Sequence, residues 1–169
     1  MPAHLPRLGH ALRELLITRR VAALSTLDAA SGAPFGSMVP FAVDAEQHCI
    51  VLHVSGLSAH TANMAADARV ALLITAPEPE DGSVHDLPRI TLLGQAATPV
   101  PDSPGWHSAR AAYLARFPDA RLMTELADFR FVTIIPTEGR QIAGFGTARA
   151  VGAKELQTVL SAMTVALGA

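Results

Sequence analysis

Residues 21–55 read VAALSTLDAASGAPFGSMVPFAVDAEQHCIVLHVS, and this stretch decides the class of fold. An apolar run over Val21 to Leu27 predicts a first strand, and the Ser-Gly-Ala-Pro sequence that follows it predicts a turn. A second strand is predicted over Phe35 to Val43, which alternates with a period of two, and a third over His48 to Ser55 after a hairpin turn. Strands joined by short turns pair in antiparallel fashion. The stretch therefore favours an antiparallel sheet.

The remaining chain supplies further strands with helices between them. Strands are predicted over 70–75, 90–97, 129–135 and 141–145, with a turn at Pro136 to Gly139. Helices are predicted from Leu8 to Arg19-Arg20, over 59–67, from Ser103 to Phe117, and along Leu156, Leu160, Met163 and Leu167. Seven short strands, mostly in hairpins, predict an α+β fold of mainly antiparallel β structure, as a sheet or a barrel. We expect one domain over 1–169, with its core over about 8–148 and a C-terminal helix over about 152–168.

Two strands carry more specific expectations. Strand 70–75 is apolar throughout, so we expect it to be covered on both faces. Pro40 in the second strand cannot donate a ladder hydrogen bond, so that strand is expected at an edge or a bulge of the sheet.

The composition excludes several classes of protein. Half of the 169 residues are hydrophobic and 17% are charged, which excludes intrinsic disorder. A net charge of -2 without basic clusters argues against nucleic-acid binding, and no apolar run predicts a membrane span. Lys154 is the only lysine, which excludes a phosphate-binding loop of the Walker type. The single cysteine, Cys49, excludes an intramolecular disulfide and fits a reducing cytoplasm.

Two local patterns suggest chemistry, and each has a plain structural alternative. Gly144-Phe145-Gly146 resembles the start of a dinucleotide fingerprint, but Arg149 stands where a third glycine belongs, so a tight turn is the better interpretation. Ser58, His60 and Thr61, at the predicted start of a helix, offer hydroxyl, imidazole and backbone N–H donors to a phosphate. On this segment alone, helix capping by Ser58 is favoured over a phosphate site. The seven histidines form no recognised ligand pair, so no metal site is expected.

Several segments, taken in order, carry a resemblance to a known family. They are Gly36-Ser37-Met38-Val39-Pro40-Phe41, Ser58-Ala59-His60-Thr61-Ala62-Asn63-Met64, Arg89-Ile90-Thr91-Leu92-Leu93-Gly94, Asp128-Phe129 and Gly144-Phe145-Gly146. From about Leu8 to Ala148 the sequence resembles the pyridoxamine-phosphate-oxidase-like, FMN-binding split-barrel family, and within it the branch related to haem-utilisation proteins.

The resemblance implies a six-stranded split β-barrel with flanking helices, built as a homodimer whose two FMN sites lie between the subunits. By resemblance, ten residues bind the cofactor along the isoalloxazine edge, beside the ribityl phosphate or at the phosphate: Ser37, Met38, Val39, Pro40, His53, Val54, Ser58, His60, Thr61 and Arg89. Of these, Ser58, His60 and Thr61 match the phosphate-binding Ser-Arg-Lys segment of the family.

Basic residues that the family places on the FMN phosphate are missing here. Ala59 and His60 stand in place of Arg and Lys, and Ser37 and Ala42 replace an Arg and a Lys of the second strand. Because the phosphate carries close to two negative charges, we expect weaker cofactor binding and no pyridoxamine-phosphate oxidation. Arg89 is expected to be the chief remaining cation of the cofactor site.

The sequence supports three hypotheses about function. The main hypothesis is a cytoplasmic, FMN-binding homodimer that acts as a flavin-dependent oxidoreductase on an unknown small-molecule substrate, with no nucleic-acid or membrane partner. The first alternative is a haem-binding or haem-utilisation protein. In that branch a haem-contacting histidine lies in an additional C-terminal domain, whereas the last histidine here is His107. The second alternative is a non-catalytic split-barrel binding module.

Two expectations concern the surface. The apolar excess of a chain this small predicts a homodimer that covers part of its surface. The loop from Ala76 to Pro88 contains a Pro-Glu-Pro-Glu-Asp-Gly run and is expected to be mobile without ligand.

Overall fold

The computed structural model of the chain describes residues 5–144 and 146–163. Its strands and helices, in chain order, are α1 Arg7–Thr18, β1 Val21–Leu27, β2 Pro34–Pro40, β3 Ala42–Asp44, β4 Cys49–Ser55, α2 Ala59–Ala66, β5 Arg69–Thr75, β6 Arg89–Ala97, α3 Pro104–Arg116, β7 Phe129–Ile142, β8 Ala148–Gly152 and α4 Ala153–Ser161. Short 3-10 turns lie at Val84–Asp86, Pro118–Ala120 and Met123–Glu125. The predicted elements are thus largely confirmed, and Leu167 of the predicted tail helix lies outside the described residues.

The strands form one antiparallel sheet in the order β2-β1-β5-β6-β7-β4-β3, with β8 paired to the second half of β7. The sheet curls until β2, at one edge, contacts β4 near the other edge without pairing with it. Helices flank the curl. This is the split barrel of mixed α and β structure that the sequence predicts, and β2 is the edge strand that Pro40 requires.

Two apolar clusters hold the elements together. The larger fills the inside of the curl, where the buried faces of α1 and α4 pack on the sheet through residues such as Leu12, Leu16, Leu156 and Val159. The smaller lies under α3, around Tyr113. Each fully buried aliphatic side chain stabilises the fold by roughly 1.5–3 kcal/mol. The larger cluster therefore fixes the curl, and the smaller fixes α3 against β3, β4 and β7.

The predicted second strand, Phe35 to Val43, is two strands in the structure. The break falls at Phe41, whose N–H donates to the carbonyl of Arg20 at 3.0 Å and whose side chain is fully buried. The chain changes partners there, because β2 pairs with β1 whereas β3 pairs with β4. Alternation alone does not reveal this break, since Phe41 keeps the apolar pattern on both sides of it.

The predicted turn around Pro136 is wrong, because β7 runs through it as one strand of 14 residues. On the neighbouring strand β6 the register shifts between Leu93 and Gly94. Gly94 pairs with Pro136 and Leu93 pairs with Glu138, so Thr137 is the extra residue of a β-bulge. A bulge accommodates proline because the ladder bond that proline cannot donate is absent there.

The end of the sheet also differs from the prediction. The strand predicted over 141–145 is the end of β7, which stops at Ile142, and β8 follows it as an additional strand. Phe145 lies outside the described residues. The 76–88 loop is closed at its ends by a bond from the Ala76 N–H to the Pro88 carbonyl at 2.8 Å, and its mobility stays a prediction.

The strand predicted to be covered on both faces has one exposed face. In β5 every second residue is buried, whereas Leu73 on the other face is 38% exposed. Large apolar side chains of neighbouring strands are exposed on the same face of the sheet. We call this surface the outer face and define it by Val21 at 39%, Met38 at 67%, Leu73, Leu93 at 40% and Ile135 at 56% exposure.

Among the described residues, no helix combines the length and the apolar character that a membrane crossing requires.

Candidate functional site

The barrel is open where the free edge of β2 faces the turn between β4 and α2. β2 pairs with β1 on one side, and the described strands leave its other edge without a ladder partner. Backbone N–H and C=O groups on an unpaired edge remain free to bond another molecule. We call the region bounded by β2, residues 55–58 and the first turn of α2 the split.

A hydrogen bond joins the two walls of the split. Ser37 Oγ lies 3.2 Å from His60 Nδ1, so a side chain of β2 holds the imidazole at the start of α2. His60 Nε2 is buried and has no hydrogen-bond partner among the described residues. Burial also lowers the pKa of His60 below its ordinary value of 6.5, which favours the neutral imidazole at pH 7. The sequence placed both residues at the cofactor, and the structure brings them together.

Two hydroxyl groups at the same turn differ in the hydrogen bonds that they make. Thr61 Oγ1 donates to the carbonyl of Ser55 at 2.6 Å, and this bond ties the first turn of α2 to the end of β4. Ser58 occupies the N-cap position of α2, but its side chain makes no capping bond. The side-chain capping that the sequence favoured for Ser58 is therefore absent.

Arg130 is a cation near the split that the sequence analysis missed. It pairs with Val54 across β4 and β7, and its guanidinium lies directly against Gly56. A Cβ atom at Gly56 would stand 2.3 Å from Arg130 Nη2 and 2.9 Å from the carbonyl oxygen of Asp128, so only glycine allows this approach. Asp128 is near too, and its Oδ2 accepts a bond from Ser55 Oγ at 3.1 Å. The signal in the sequence was that Arg130 is the one charged residue of the predicted strand 129–135.

His53 and Val54, which were predicted to share one site, face opposite sides of β4. Val54 belongs to the apolar cluster inside the curl. The His53 ring is 6% exposed and lies 5.1 Å from the ring of Phe129, 4.7 Å from Phe131 and 5.5 Å from Tyr113. Burial lowers the pKa of His53. Neither side chain reaches the split directly.

The family resemblance placed four β2 residues along the flavin, and in the structure these residues lie on two opposite faces of the strand. Val39 is 2% exposed and packs inside the curl, on the same face as Ser37. Met38 and Pro40 are exposed on the opposite side, and Met38 forms part of the outer face. Within one chain, these positions can offer the split their backbone groups, whereas the Met38 side chain cannot enter it.

Arg89 is not brought together with Ser37 and His60. Ser37 is level with Leu92, three strands away in the sheet, and Arg89 lies three residues further along β6, an additional offset of roughly 10 Å along the strand. Its position in β6 faces away from the buried side, and Nη1 donates to the carbonyl of Leu87 at 2.8 Å. Within one chain, Arg130 is the cation that the structure places against the turn into α2, through its contact with Gly56.

Groups of three or more His, Cys, Asp or Glu residues that could hold a metal ion are absent from residues 5–144 and 146–163. The split therefore offers one imidazole, hydroxyls, free backbone groups and one guanidinium. These can hold an anionic ligand with a flat ring, and they do not form an all-protein metal cage.

Comparisons with known proteins fit this geometry. Residues 8–143 match the family described as Pyridoxamine 5'-phosphate oxidase. The chain is 40% identical over 117 residues to the chloroplastic heme oxygenase HOZ of Arabidopsis thaliana, a match covering 69% of this chain and 34% of that protein. It is 26% identical over 151 residues to the heme oxygenase HutZ of Vibrio cholerae, covering 89% and 84%. The chain thus spans about a third of the plant relative.

A solved structure extends the comparison to three dimensions. The heme binding protein from Mycobacterium smegmatis superposes with a TM-score of 0.80 at 25% identity, over 92% of this chain and 62% of that one. Fold and sequence agree, and the chain belongs to the pyridoxamine 5'-phosphate oxidase family of split-barrel proteins.

Proposed function

We propose that this chain binds haem and acts in haem utilisation, which was the first alternative from the sequence. The observation that carries the proposal is the 40% identity to a heme oxygenase over 69% of this chain. The similarity to HutZ and to a solved heme binding protein supports the same function. Because the chain spans only part of the plant relative, the haem degradation named for that protein is a proposal here, and haem binding comes first.

The charges at the split also favour haem over FMN. The α2 segment reads Ser58-Ala59-His60, so it supplies one imidazole and no lysine or arginine to a phosphate. With its pKa lowered by burial, His60 is mostly neutral at pH 7 and neutralises little of a phosphate dianion. A charge-assisted hydrogen bond contributes roughly 1.5–3 kcal/mol, so losing such bonds costs FMN much of its affinity.

The residues at the split fit haem on two observations. The buried Nε2 of His60 lacks a partner among the described residues, and neutral imidazole is a common ligand of iron. The Arg130 guanidinium lies against Gly56 at the edge of the split, where it can bond a propionate. Bound haem would supply iron-centred redox chemistry. The chain's own task is to hold the ring at the free edge of β2 and to neutralise its carboxylates.

FMN is the second candidate cofactor, and one observation favours it. Ser58 and the first N–H groups of α2 point out of a helix N-terminus beside a free strand edge, an arrangement that suits a phosphate. On this alternative the chain is the FMN-dependent oxidoreductase of the main sequence hypothesis. A non-catalytic module that binds neither cofactor is the third.

We also propose that the protein is a homodimer. The outer face presents exposed apolar side chains on five neighbouring positions of one sheet surface, and such a continuous patch favours association. Arg89 projects from the same side of the sheet, so a second copy packed there would bury it near the interface. A cytoplasmic location fits the single, buried and unpaired cysteine Cys49.

The proposed function is tested by titrating the purified chain with ferric haem and, separately, with FMN. We expect a saturable Soret shift at one haem per chain and a haem dissociation constant at least tenfold below that for FMN. Free haem in buffer serves as the spectral reference. Tighter binding of FMN contradicts the proposal and supports the oxidoreductase, whereas saturable binding of neither supports the non-catalytic module.

A further inference from the structure

We propose that His60 Nε2 ligates the haem iron at the split, that Ser37 orients the ring for this role, and that Arg130 meets a propionate. The inference rests on the proposed haem binding and assigns the residues that perform it. We expect Phe35, on β2, and Leu57, in the turn before α2, to supply apolar contacts to the ring.

His60 is the histidine whose surroundings suit an iron ligand among the six that the structure describes. His53 is enclosed by three aromatic rings and is 6% exposed, so the porphyrin has no room there. His48 pairs with Gln157 through Nδ1 at 3.3 Å. The remaining three, His10, His85 and His107, are exposed on α1, on the 76–88 loop and on α3. None of these five combines an unpartnered Nε2 with an opening in the sheet.

The Ser37 bond decides which nitrogen is available. Iron ligation through Nε2 requires the proton of the neutral ring to sit on Nδ1, where it needs an acceptor. Ser37 Oγ, 3.2 Å from Nδ1, can accept that bond. In the opposite arrangement Ser37 donates to Nδ1 and Nε2 carries the proton, which suits a phosphate oxygen instead. The tautomer therefore distinguishes the two cofactors.

Two exposed apolar side chains lie on β2 and in the turn that precedes α2. Phe35 lies two residues before Ser37 on the same face of β2 and is 37% exposed. Leu57, in the turn that precedes α2, is 89% exposed, which is unusual for a side chain of its size. A porphyrin ring gains affinity from burying such groups, because apolar surface removed from water is stabilising.

Arg130 completes the site with charge. Its guanidinium rests on Gly56, two residues before the N-cap of α2, and no bond to its side chain is recorded among the described residues. The nearby Asp128 carboxylate accepts a bond from Ser55 Oγ, and no ion pair joins it to Arg130 among the described residues. A propionate at this rim would form the charge-assisted bond that Arg130 lacks.

Access to Nε2 requires local movement. The atom is buried although the ring as a whole is only partly covered, so side chains over it must shift before iron can approach within bonding distance. We therefore expect haem binding to include a step that does not depend on haem concentration.

The test compares the full chain with His60→Ala, His60→Gln, Ser37→Ala and Arg130→Gln, with His85→Ala as the matched control. Each variant is checked for native circular dichroism and then loaded with ferric haem. We expect both His60 variants to lose the electron paramagnetic resonance signature of imidazole-ligated iron, and added imidazole to restore it in His60→Ala. Ser37→Ala and Arg130→Gln should each weaken haem binding by about tenfold, the latter with an unchanged signature. His85→Ala should behave as wild type.

The outcomes separate this inference from the proposed function. If wild type binds haem and both His60 variants keep its spectrum and affinity, the ligand assignment is overturned and haem binding stands. If wild type shows no saturable haem binding, the proposed function fails and the assignment fails with it. Should His60→Ala lose its fold, His60→Gln decides, because glutamine keeps a hydrogen-bonding group at that position. An unchanged affinity in Arg130→Gln removes Arg130 from the site.

Discussion

At the scale of single residues, Gly56 and Gly36 differ in the room that the structure leaves for a side chain. A Cβ at Gly56 would collide with the Arg130 guanidinium and the Asp128 carbonyl, whereas a Cβ at Gly36 meets nothing within 4 Å. We expect Gly56→Ala to lower the free energy of unfolding by about 1–3 kcal/mol through overpacking. Gly36→Ala should change it by less than about 1 kcal/mol, because no atom has to move. Denaturation in urea measures both, and equal effects would show that the Gly56 contact is unimportant.

His53 predicts how stability depends on pH. Burial lowers its pKa in the folded state below the ordinary value of 6.5, so the unfolded chain binds the proton more readily. Its contribution to stability is complete above about pH 6.5 and is lost as the pH falls through the folded-state pKa. His60 acts in the same direction.

His53→Phe keeps a flat ring in the aromatic cluster and removes the proton-binding group. We expect its unfolding free energy to fall less between pH 8 and pH 5 than that of wild type, measured by urea denaturation at each pH. An identical loss in the two proteins would assign the acid sensitivity to other groups.

The family resemblance named part of the candidate site. Ser37 and His60 could be named because each stands at a matching position, and the structure joins them at 3.2 Å. Arg89 could not be placed, because its distance from the split depends on three strand registers. Arg130 was missed because its role comes from the contact with Gly56, 74 positions away in the chain, which no local pattern records.

At the scale of elements, α3 holds the end of α1. Arg116 Nη2 donates to the carbonyls of Leu16 at 3.2 Å and Ile17 at 3.0 Å, and also to that of Arg19. Carbonyls in the last turn of a helix lack intrahelical partners, so this side chain replaces a conventional C-terminal cap. The bonds join two elements that are about a hundred residues apart in the sequence.

Arg116→Met tests this cap, since methionine keeps an apolar stem and removes the donors. We expect a loss of about 1–3 kcal/mol in unfolding free energy, because buried carbonyls lose their partners. Arg110→Met on the same helix is the control, and among the described residues no bond to its side chain is recorded. If both variants lose equal stability in urea, the cap contributes nothing specific.

Element types were predictable, and element boundaries at two places were not. Short apolar runs bounded by turn signals identified β1, β4, β5 and β6, because each run is continuous in the sequence. The break at Phe41 and the bulge opposite Pro136 are set by partners on other strands, the Arg20 carbonyl in one case and the shifted register at Gly94 in the other. Tertiary pairing thus overrode the local turn signal of proline.

At the scale of the whole molecule, the outer face predicts association. Leu93 is 40% exposed near the centre of that face, and we expect wild type to sediment as a dimer at micromolar concentration. Leu93→Glu places a charge in the proposed interface and should shift the protein toward monomer. Leu122→Glu is the control, because Leu122 is 78% exposed and lies outside the outer face. A monomeric wild type at micromolar concentration would contradict the homodimer.

The central claim is that haem binds at the split, and amide hydrogen exchange with and without ferric haem tests it most directly. We predict that haem slows exchange in residues 34–40 and 55–61, which form the free edge of β2 and the turn into α2. Amide exchange in residues 69–75, the strand β5 that carries Leu73 of the outer face, should change little. The protein concentration is chosen so that the oligomeric state stays constant. Haem-dependent protection confined to 69–75 and 89–97, or absent throughout the chain, would contradict the account.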